Sequence, residues 1–175
     1  MHADPYHLIK MHENEQNQDE IICDVCLEDD DFEGDEIVIC DLCLGAAHQS
    51  CYGGEIKNRL PPPNQPWYCA RCQELVKNKT KRACDIKCAL CPDLKGLMKP
   101  LNLGSTQKEW AHLICVNWTP EIWFTNDNND EVDGKLNKSR HKLRCGKCMK
   151  MSGSCVQCDF QGCKRSWHVR CAAQS

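Results

Sequence analysis

Cysteine and histidine recur through this chain at spacings that suit metal coordination. The series runs Cys23-x2-Cys26, Cys40-x2-Cys43, His48-x2-Cys51 and Cys69-x2-Cys72, then Cys88-x2-Cys91 with His112-x2-Cys115. It ends with Cys145-x2-Cys148, Cys158-x4-Cys163 and His168-x2-Cys171. Two thiolates separated by two residues can reach one tetrahedral ion, and thiolate with imidazole is the donor set that zinc prefers. The eight donors between 23 and 72 suffice for two zinc ions, and the four between 88 and 115 for one closed site. Zinc has no redox chemistry, and each structural site contributes on the order of 10 kcal/mol or more to folding. These ions are therefore expected to organise the chain rather than to catalyse.

The composition agrees. The chain has 175 residues with 17 cysteines and only 6% aromatic side chains, so cross-links must replace part of a hydrophobic core. An odd cysteine count grouped as Cys-x2-Cys pairs does not suit a closed disulfide framework, which points to a reducing compartment. The opening Met1-His2-Ala3-Asp4-Pro5-Tyr6 has no apolar stretch of signal-peptide type, so secretion is disfavoured. The longest apolar runs, such as Ile37 to Cys40, are far shorter than the roughly 20 residues of a membrane helix, so no membrane partner is expected. Net charge is −3 but uneven: residues 1–76 carry 4 Lys+Arg against 16 Asp+Glu, a net of −12, and residues 77–175 carry 18 against 9, a net of +9. An acidic half suits a basic ligand and a basic half suits phosphates.

The elements that must position these donors are short. The ligands fall into three clusters, 23–72, 84–115 and 145–171. Lys77-Asn78-Lys79-Thr80-Lys81-Arg82 forms the first link, and Asn126 to Ser139 reads as an exposed loop. This divides the chain into a polar leader (1–20), a first module (21–76), a basic linker with a second module (77–120) and a third module (121–175). In the leader, Leu8-Ile9 with Met11 could form at most a turn or two of helix beside Glu13, Glu15, Asp19 and Glu20. Regular structure is expected to be sparse, with a strand at Glu36 to Ile39, short strands near each metal pair, and short helices after Cys69 and His112. Leu113, Ile114, Trp118, Ile122 and Trp123 are expected to cover the second metal site as a small core. Cys84 is left as a spare thiol, since no catalytic signature surrounds it.

In the first module a RING finger would place histidine earlier in the ligand series, and a LIM domain would place another cysteine pair directly after His48-x2-Cys51. Four cysteines, one histidine and three cysteines, with Trp67 two residues before Cys69, resemble a PHD (plant homeodomain) finger. The resemblance implies interleaved sites, Cys23, Cys26, His48 and Cys51 holding one zinc and Cys40, Cys43, Cys69 and Cys72 the other. The run Ile37-Val38-Ile39, framed by Asp29, Asp30, Asp31, Glu33, Asp35 and Glu36, reads on its own as a strand with a free edge and a negative rim, to which an extended basic peptide can add. The resemblance implies that this peptide is the N-terminal tail of histone H3. Its free amine would be capped at the loop Pro63-Asn64-Gln65-Pro66 before Trp67, and its arginine met by Asp41. A methyl-lysine reader needs an aromatic cage. Ile37 and Ala46 stand at the corresponding positions, so an unmodified lysine, solvated by Glu33 or Asp35, is expected.

The third module repeats the first half of the pattern, with Cys145, Cys148, His168 and Cys171 as one ligand set and Trp167 before the histidine. Only Cys158 and Cys163 remain for its second ion, with Cys155 at Cys-x2-Cys spacing before them, and the chain stops at Ser175. Four secure zinc sites and an incomplete fifth are therefore expected. The whole series is similar to the PZP (PHD, zinc knuckle, PHD) cassette of chromatin scaffold and reader proteins such as the JADE and BRPF subunits of MYST-family acetyltransferase complexes. The similarity covers residues 21–175 and is carried by Cys40-Asp41-Leu42-Cys43, His48-Gln49-Ser50-Cys51-Tyr52-Gly53, Trp67-Tyr68-Cys69, Cys88-Ala89-Leu90-Cys91-Pro92, Trp110-Ala111-His112 and Trp167-His168-Val169-Arg170-Cys171-Ala172. The fold class it implies is a small zinc-stabilised α+β structure, mostly irregular, with tandem cross-brace PHD-type fingers joined by a zinc knuckle.

Between Gly134 and Lys150 the chain carries Lys135, Lys138, Arg140, Lys142, Arg144, Lys147 and Lys150 without an acid, followed by Lys164, Arg165 and Arg170. Such a run can contact DNA phosphates without reading sequence. The expectation is a nuclear, non-enzymatic module that binds the unmodified histone H3 tail and nucleosomal DNA beside other subunits of a chromatin-modifying complex. Two rivals are a subunit scaffold without histone binding and a RING-like ubiquitin ligase, against which the ligand order argues.

Overall fold

A β-branched triplet opens the architecture: β1 (Ile37–Ile39) pairs antiparallel with β2 (Ala46–His48), Ile37 opposite His48 and Ile39 opposite Ala46. The computed structural model describes residues 21–30, 32–57, 61–104 and 106–174; the leader 1–20 and Asp31 of the expected acidic rim lie outside them. From β2 the chain enters a single turn, α1 (Gln49–Tyr52), and later α2 (Ala70–Lys77), which starts directly after Cys69. The expected strand over 36–39 is realised one residue shorter: Glu36 continues the ladder by accepting the N–H of Gln49 at 3.1 Å, but Gln49 already begins α1.

The second part is built on a four-stranded sheet. Its strands β3 (Met98–Asn102), β4 (Glu109–His112), β5 (Ile122–Phe124) and β6 (Val132–Gly134) lie in the order β4-β3-β6-β5, with β3 and β6 parallel and the other pairs antiparallel. The helix α3 (Leu113–Trp118) follows His112 without a break. The last part has a two-stranded pair, β7 (Val156–Gln157) and β8 (Ser166–Trp167), and a short helix α4 (Val169–Ala173).

Two apolar clusters hold these pieces. One gathers Leu90, Met98, Leu101, Trp110, Ile114, Ile122 and Val132 around the sheet and accepts Val169 from the last finger. The other gathers Val25, Val38, Tyr52, Ile56 and Trp67 in the first finger and accepts Leu97, just before β3, and Leu113 from α3. Fully burying a side chain of this size contributes about 1.5–3 kcal/mol, so these shared residues fuse the lobes. Two expected core residues fall outside. Trp118 is 67% exposed and Trp123 52%. Trp123 stands between the inward Ile122 and the half-buried Phe124 on a strand, where alternation sends it outward. Trp118 ends α3 and, with Leu27, rims a shallow apolar groove over Ile114 and Val169.

Candidate metal centres

Three of the four Cys-x2-Cys pairs that open a tetrad share one backbone geometry. The N–H of the residue after the second cysteine donates to the carbonyl of the first: Leu27 to Cys23 at 3.0 Å, Leu44 to Cys40 at 2.9 Å and Met149 to Cys145 at 3.0 Å. The next carbonyl, of Glu28, Gly45 or Lys150, then accepts from that first cysteine's N–H at 2.9, 2.9 and 3.0 Å. Leu27, Leu44 and Met149 consequently hold φ of 70°, 59° and 59°, in the left-handed region. The fourth turn departs because Pro92 follows Cys91, and a proline ring fixes φ on the negative side. There Ala89 donates to Trp110 at 2.8 Å instead, which joins the turn to β4.

These turns and the histidines at the ends of β2, β4 and β8 bring the donors into four tetrads: Cys23, Cys26, His48 and Cys51; Cys40, Cys43, Cys69 and Cys72; Cys88, Cys91, His112 and Cys115; Cys145, Cys148, His168 and Cys171. Within each, all ligand atoms lie within 4.8 Å of one another. A tetrahedral zinc with bonds of about 2.3 Å to sulfur has edges of about 3.8 Å. The Cys43–Cys69 spacing of 3.8 Å matches that figure, and His48 Nδ1 lies 3.3 and 3.9 Å from Cys26 and Cys51, on either side of the shorter nitrogen–sulfur edge of about 3.5 Å that a zinc–nitrogen bond of about 2.0 Å gives. His112 Nδ1 lies 3.2 and 3.8 Å from Cys91 and Cys115, and His168 Nδ1 3.4 and 3.8 Å from Cys148 and Cys171. The first two tetrads interleave along the chain. The residues fit zinc, whose role there is to cross-link.

Electrostatics favour the same ion. The first cysteine of each tetrad accepts a backbone N–H: Cys23 from Val25 at 3.4 Å, Cys40 from Cys69 at 3.3 Å, Cys88 from Leu90 at 3.3 Å and from His112 at 3.4 Å, Cys145 from His168 at 3.4 Å. The Cys51 thiol, together with backbone N–H groups, holds Cys23 down at about 4 against burial. In Cys145 burial pushes the thiol up, and N–H groups of Cys148, His168 and Lys147 overcome it to bring it to about 6. At least one thiol in each tetrad is thus prepared to ionise, and a dication displaces the remaining protons. His48 and His168 are oriented from behind, Nε2 facing the carbonyls of Asp30 and Ser152. His112 Nε2 is buried with no such partner.

Of the remaining thiols, Cys84 bonds Asp85 at 3.7 Å and joins no tetrad, and Cys155 is buried beside Cys145, its thiol facing the carbonyl of Leu143 at 3.7 Å. Burial, then the neighbouring Cys145, push Cys155 up to about 11. Cys158 and Cys163 flank the β7–β8 turn, and Cys163 is held below the usual thiol range by the Arg165 N–H and then by the Cys158 thiol beside it.

The first finger leaves β1 unpaired on one side among the described residues. Glu36 accepts from Gln49, Val38 pairs with Ala47 and Cys40 donates to Gly45 at 2.9 Å, so residues 36, 38 and 40 carry the ladder and Ile39 turns its N–H and C=O outward. Asp41, just past this edge, is exposed, as are Glu33 before the strand and Glu28, Asp29 and Asp30, whose segment runs against β2 through the bond from Asp24 N–H to the carbonyl of Ala46 at 2.8 Å. Asp35 is engaged by the N–H and hydroxyl of Ser50, both at 2.7 Å, and Glu36 by Gln49. Asp41 Oδ2 takes the N–H of Trp67 at 2.7 Å, tying Trp67 to β1's end, while Pro63 and Asn64 stand exposed before it. The sequence had placed Asp35 and Asp41 toward a ligand; each has a fold-holding bond as well.

In the last finger Lys138, Lys142, Arg144, Lys147, Lys164 and Arg165 are exposed. Arg140 is turned inward onto Glu121 at 2.9 Å and the Cys155 carbonyl at 3.2 Å. Arg170 corrects the reading of an open basic surface: it is 8% exposed and paired with Asp93 at 3.0 Å and Asp24 at 3.4 Å, because α4 carries it into the seam between lobes.

The PHD-finger model matches residues 23–72, and the model of the PHD-zinc-finger like domain matches residues 86–175. Protein Jade-1 of Xenopus laevis is 34% identical over 157 residues, 88% of this chain and 17% of that protein. PHD finger protein rhinoceros of Drosophila melanogaster is 37% identical over 157 residues, 88% of this chain and 4% of the protein. E3 ubiquitin-protein ligase Jade-2 of Homo sapiens is 33% identical over 157 residues, 88% of this chain and 18% of the protein. The chain thus spans less than a fifth of each of these relatives. Among solved structures, the crystal structure of zebrafish PHF14-PZP superposes with a TM-score of 0.62 at 28% identity, covering 86% of this chain and 73% of that one.

Proposed function

Because this chain belongs to the PHD-zinc-finger-like family, with a PHD finger preceding the family's domain, we propose that it is a nuclear, non-enzymatic reader of histone tails within a histone-modifying complex. The observation that carries the reading is the open edge of β1. Among the described residues Ile39 turns its N–H and C=O away from β2, with Asp41 exposed two residues on and Glu33 exposed before the strand, so an extended basic peptide can add as a further strand. The first finger, residues 21–76, takes the unmodified N-terminal tail of histone H3, with Glu33, Asp35, Glu36 and Asp41 as its acidic rim. Ile37, Val38 and Ile39 supply the edge, and Pro63, Asn64 and Trp67 stand at the amine end. Residues 121–175 contact nucleosomal DNA through Lys138, Lys142, Arg144, Lys147, Lys164 and Arg165. Zinc fills the four tetrads, and Cys158 with Cys163 supplies half of a fifth site.

The test is calorimetric titration of the zinc-loaded protein with an unmodified H3 tail peptide, beside one trimethylated on its fourth residue and one acetylated at its amine. Binding to the unmodified peptide alone is expected. No binding to any of them, with four zinc ions confirmed, sinks the reader assignment in favour of a subunit scaffold. The name of the Jade-2 relative favours a second reading, ubiquitin transfer; discharge of ubiquitin from a charged conjugating enzyme by this chain alone would establish it.

A further inference from the structure

Lys99 lies in β3, outside every metal tetrad, and its side chain is only 4% exposed. A buried ammonium is costly unless it is paired. Its Nζ donates to the carbonyl of Asn129 at 2.6 Å, lies 3.6 Å from Asp130 Oδ1 and sits 4.5 Å over the Tyr52 ring. Asn129 and Asp130 belong to the loop between β5 and β6, and Tyr52 to the first finger, so one side chain grips both.

The loop and the first finger also meet directly. Gly54 donates to the carbonyl of Asn128 at 2.6 Å, Asn129 Nδ2 to the carbonyl of Ser50 at 3.4 Å, and Lys57 to the carbonyl of Asp127. Gly53 and Gly54 have φ of +69° and +67°, and a Cβ on Gly53 would stand 2.0 Å from the Asn128 carbonyl oxygen. Only glycine allows the turn to lie this close to the loop. Ser50 in turn binds Asp35 twice, its neighbour Gln49 binds Glu36, and Glu36 leads into β1. On the other side the Tyr52 hydroxyl accepts the N–H of Ala70, and its ring packs edge-on to Trp67 with centroids 4.9 Å apart.

We propose that Lys99 is a positioning residue for the peptide edge of the first finger: it clamps the β5–β6 loop onto the Ser50–Gly54 turn and so fixes β1 and Trp67 from a separate lobe. The proposal rests on the reader assignment above for its ligand, although the clamp can be observed without one. It makes the first finger's recognition depend on residues 99 and 128–130, which a finger cut out at its own boundaries lacks.

The test compares wild type with Lys99→Met, which keeps an unbranched buried stem, and with Asn129→Gly, which suits the φ of 54° at that position and removes only the bond to Ser50. Amide hydrogen exchange is followed at Ser50–Gly54 and Glu36–Ile39, and H3-peptide affinity by calorimetry, with zinc content checked. Lys99→Met is expected to retain four zinc ions, to speed exchange at Gly54 and Glu36–Ile39 at least tenfold, and to weaken the peptide about threefold to tenfold. Asn129→Gly should move both readouts the same way by less. Unchanged exchange at both segments overturns the clamp, and faster exchange with unchanged affinity overturns its role at the peptide edge. If wild type binds no peptide, the reader assignment falls, while the exchange data still decide the clamp.

Discussion

The guanidinium of Arg170 lies 3.4 Å from the carboxylate of Asp24, joining the last finger to the first across 146 residues of sequence, and its Nε binds Asp93 of the middle module at 3.0 Å. One fork therefore closes the junction of three lobes. Burial pushes the Asp24 carboxyl above its usual range even though Arg170 draws it down, so this pair is held in a partly dry seam.

Arg170→Met should cost about 2–4 kcal/mol, because it leaves two carboxylates in that seam without a cation. Urea unfolding at pH 7 with zinc in excess measures it. The deficit should narrow toward pH 5. Arg170 opposes the burial that raises Asp24, so without it the carboxyl of the variant rises further; the variant's native state then takes up more protons on acidification than the wild-type native state does, and it regains stability relative to wild type as pH falls. A deficit of the same size at both pH values would show that lost packing, not charge, accounts for it.

Native mass spectrometry should find four zinc ions per chain, one for each tetrad. Cys158 and Cys163 offer two thiols, so a fifth ion should appear only at excess zinc and vanish in the Cys158→Ser, Cys163→Ser double variant, leaving four. A strong chelator should unfold the chain, since each site contributes on the order of 10 kcal/mol against a total stability of about 5–15 kcal/mol for an ordinary domain. Five ions held equally tightly would contradict the two-thiol arrangement.

The tetrads were legible because Cys-x2-Cys and His-x2-Cys are local patterns, repeated often enough to identify themselves. The strand over Ile37–Ile39 and the helices after Cys69 and His112 were legible for the same reason, as a β-branched run and as helices beginning next to fixed ligands. The cross-brace came only from family resemblance, since spacing alone allows other pairings. What escaped was long-range. Nothing near Arg170 or Lys99 distinguishes a buried cation from a solvated one, and Trp118 and Trp123 read as core by type although α3 ends and β5 alternates at those positions. The parallel pairing of β3 with β6 joins segments 30 residues apart, with a proline in β3 masking its strand character.

Lys99 predicts an alkaline dependence of stability. Burial holds its ammonium down at about 8, against an ordinary value near 10.5, with Asp130 opposing. Between these values the unfolded chain keeps a proton that the native state has released, so native stability rises with pH through that window, and the penalty is complete below it. Compared with Lys99→Met, which has no such proton, wild type should gain about 2 kcal/mol between pH 7.5 and 9.5. Chemical denaturation of both proteins with zinc in excess supplies the difference; equal slopes would mean that Lys99 titrates normally.

On the basic face the structure separates cations that look alike in sequence. Lys142 and Arg144 are exposed, whereas Arg140 is committed to Glu121. If this face contacts phosphates, Lys142→Gln with Arg144→Gln should weaken duplex DNA uniformly across sequences and lower the salt slope by about two. Arg140→Gln should leave that slope unchanged and reduce the melting temperature instead. Fluorescence anisotropy at several salt concentrations distinguishes them, and a slope that responds only to Arg140 would refute the assignment.

The open edge of β1 can be blocked without touching a metal ligand. Because residues 36, 38 and 40 carry the hydrogen bonds to β2, the N–H of Ile39 contributes nothing to that ladder. Proline is tolerated on the open side of an edge strand, where it removes a donor and obstructs an incoming strand. Ile39→Pro should therefore retain four zinc ions and a near wild-type melting temperature while weakening the H3 peptide about tenfold or more, since it removes a main-chain bond worth about 1 kcal/mol and adds a steric block. Val38→Pro, which breaks the ladder itself, should instead destabilise the finger. Peptide affinity retained in Ile39→Pro would place the tail somewhere other than β1, and the acidic rim, not the strand, would then be the feature to map.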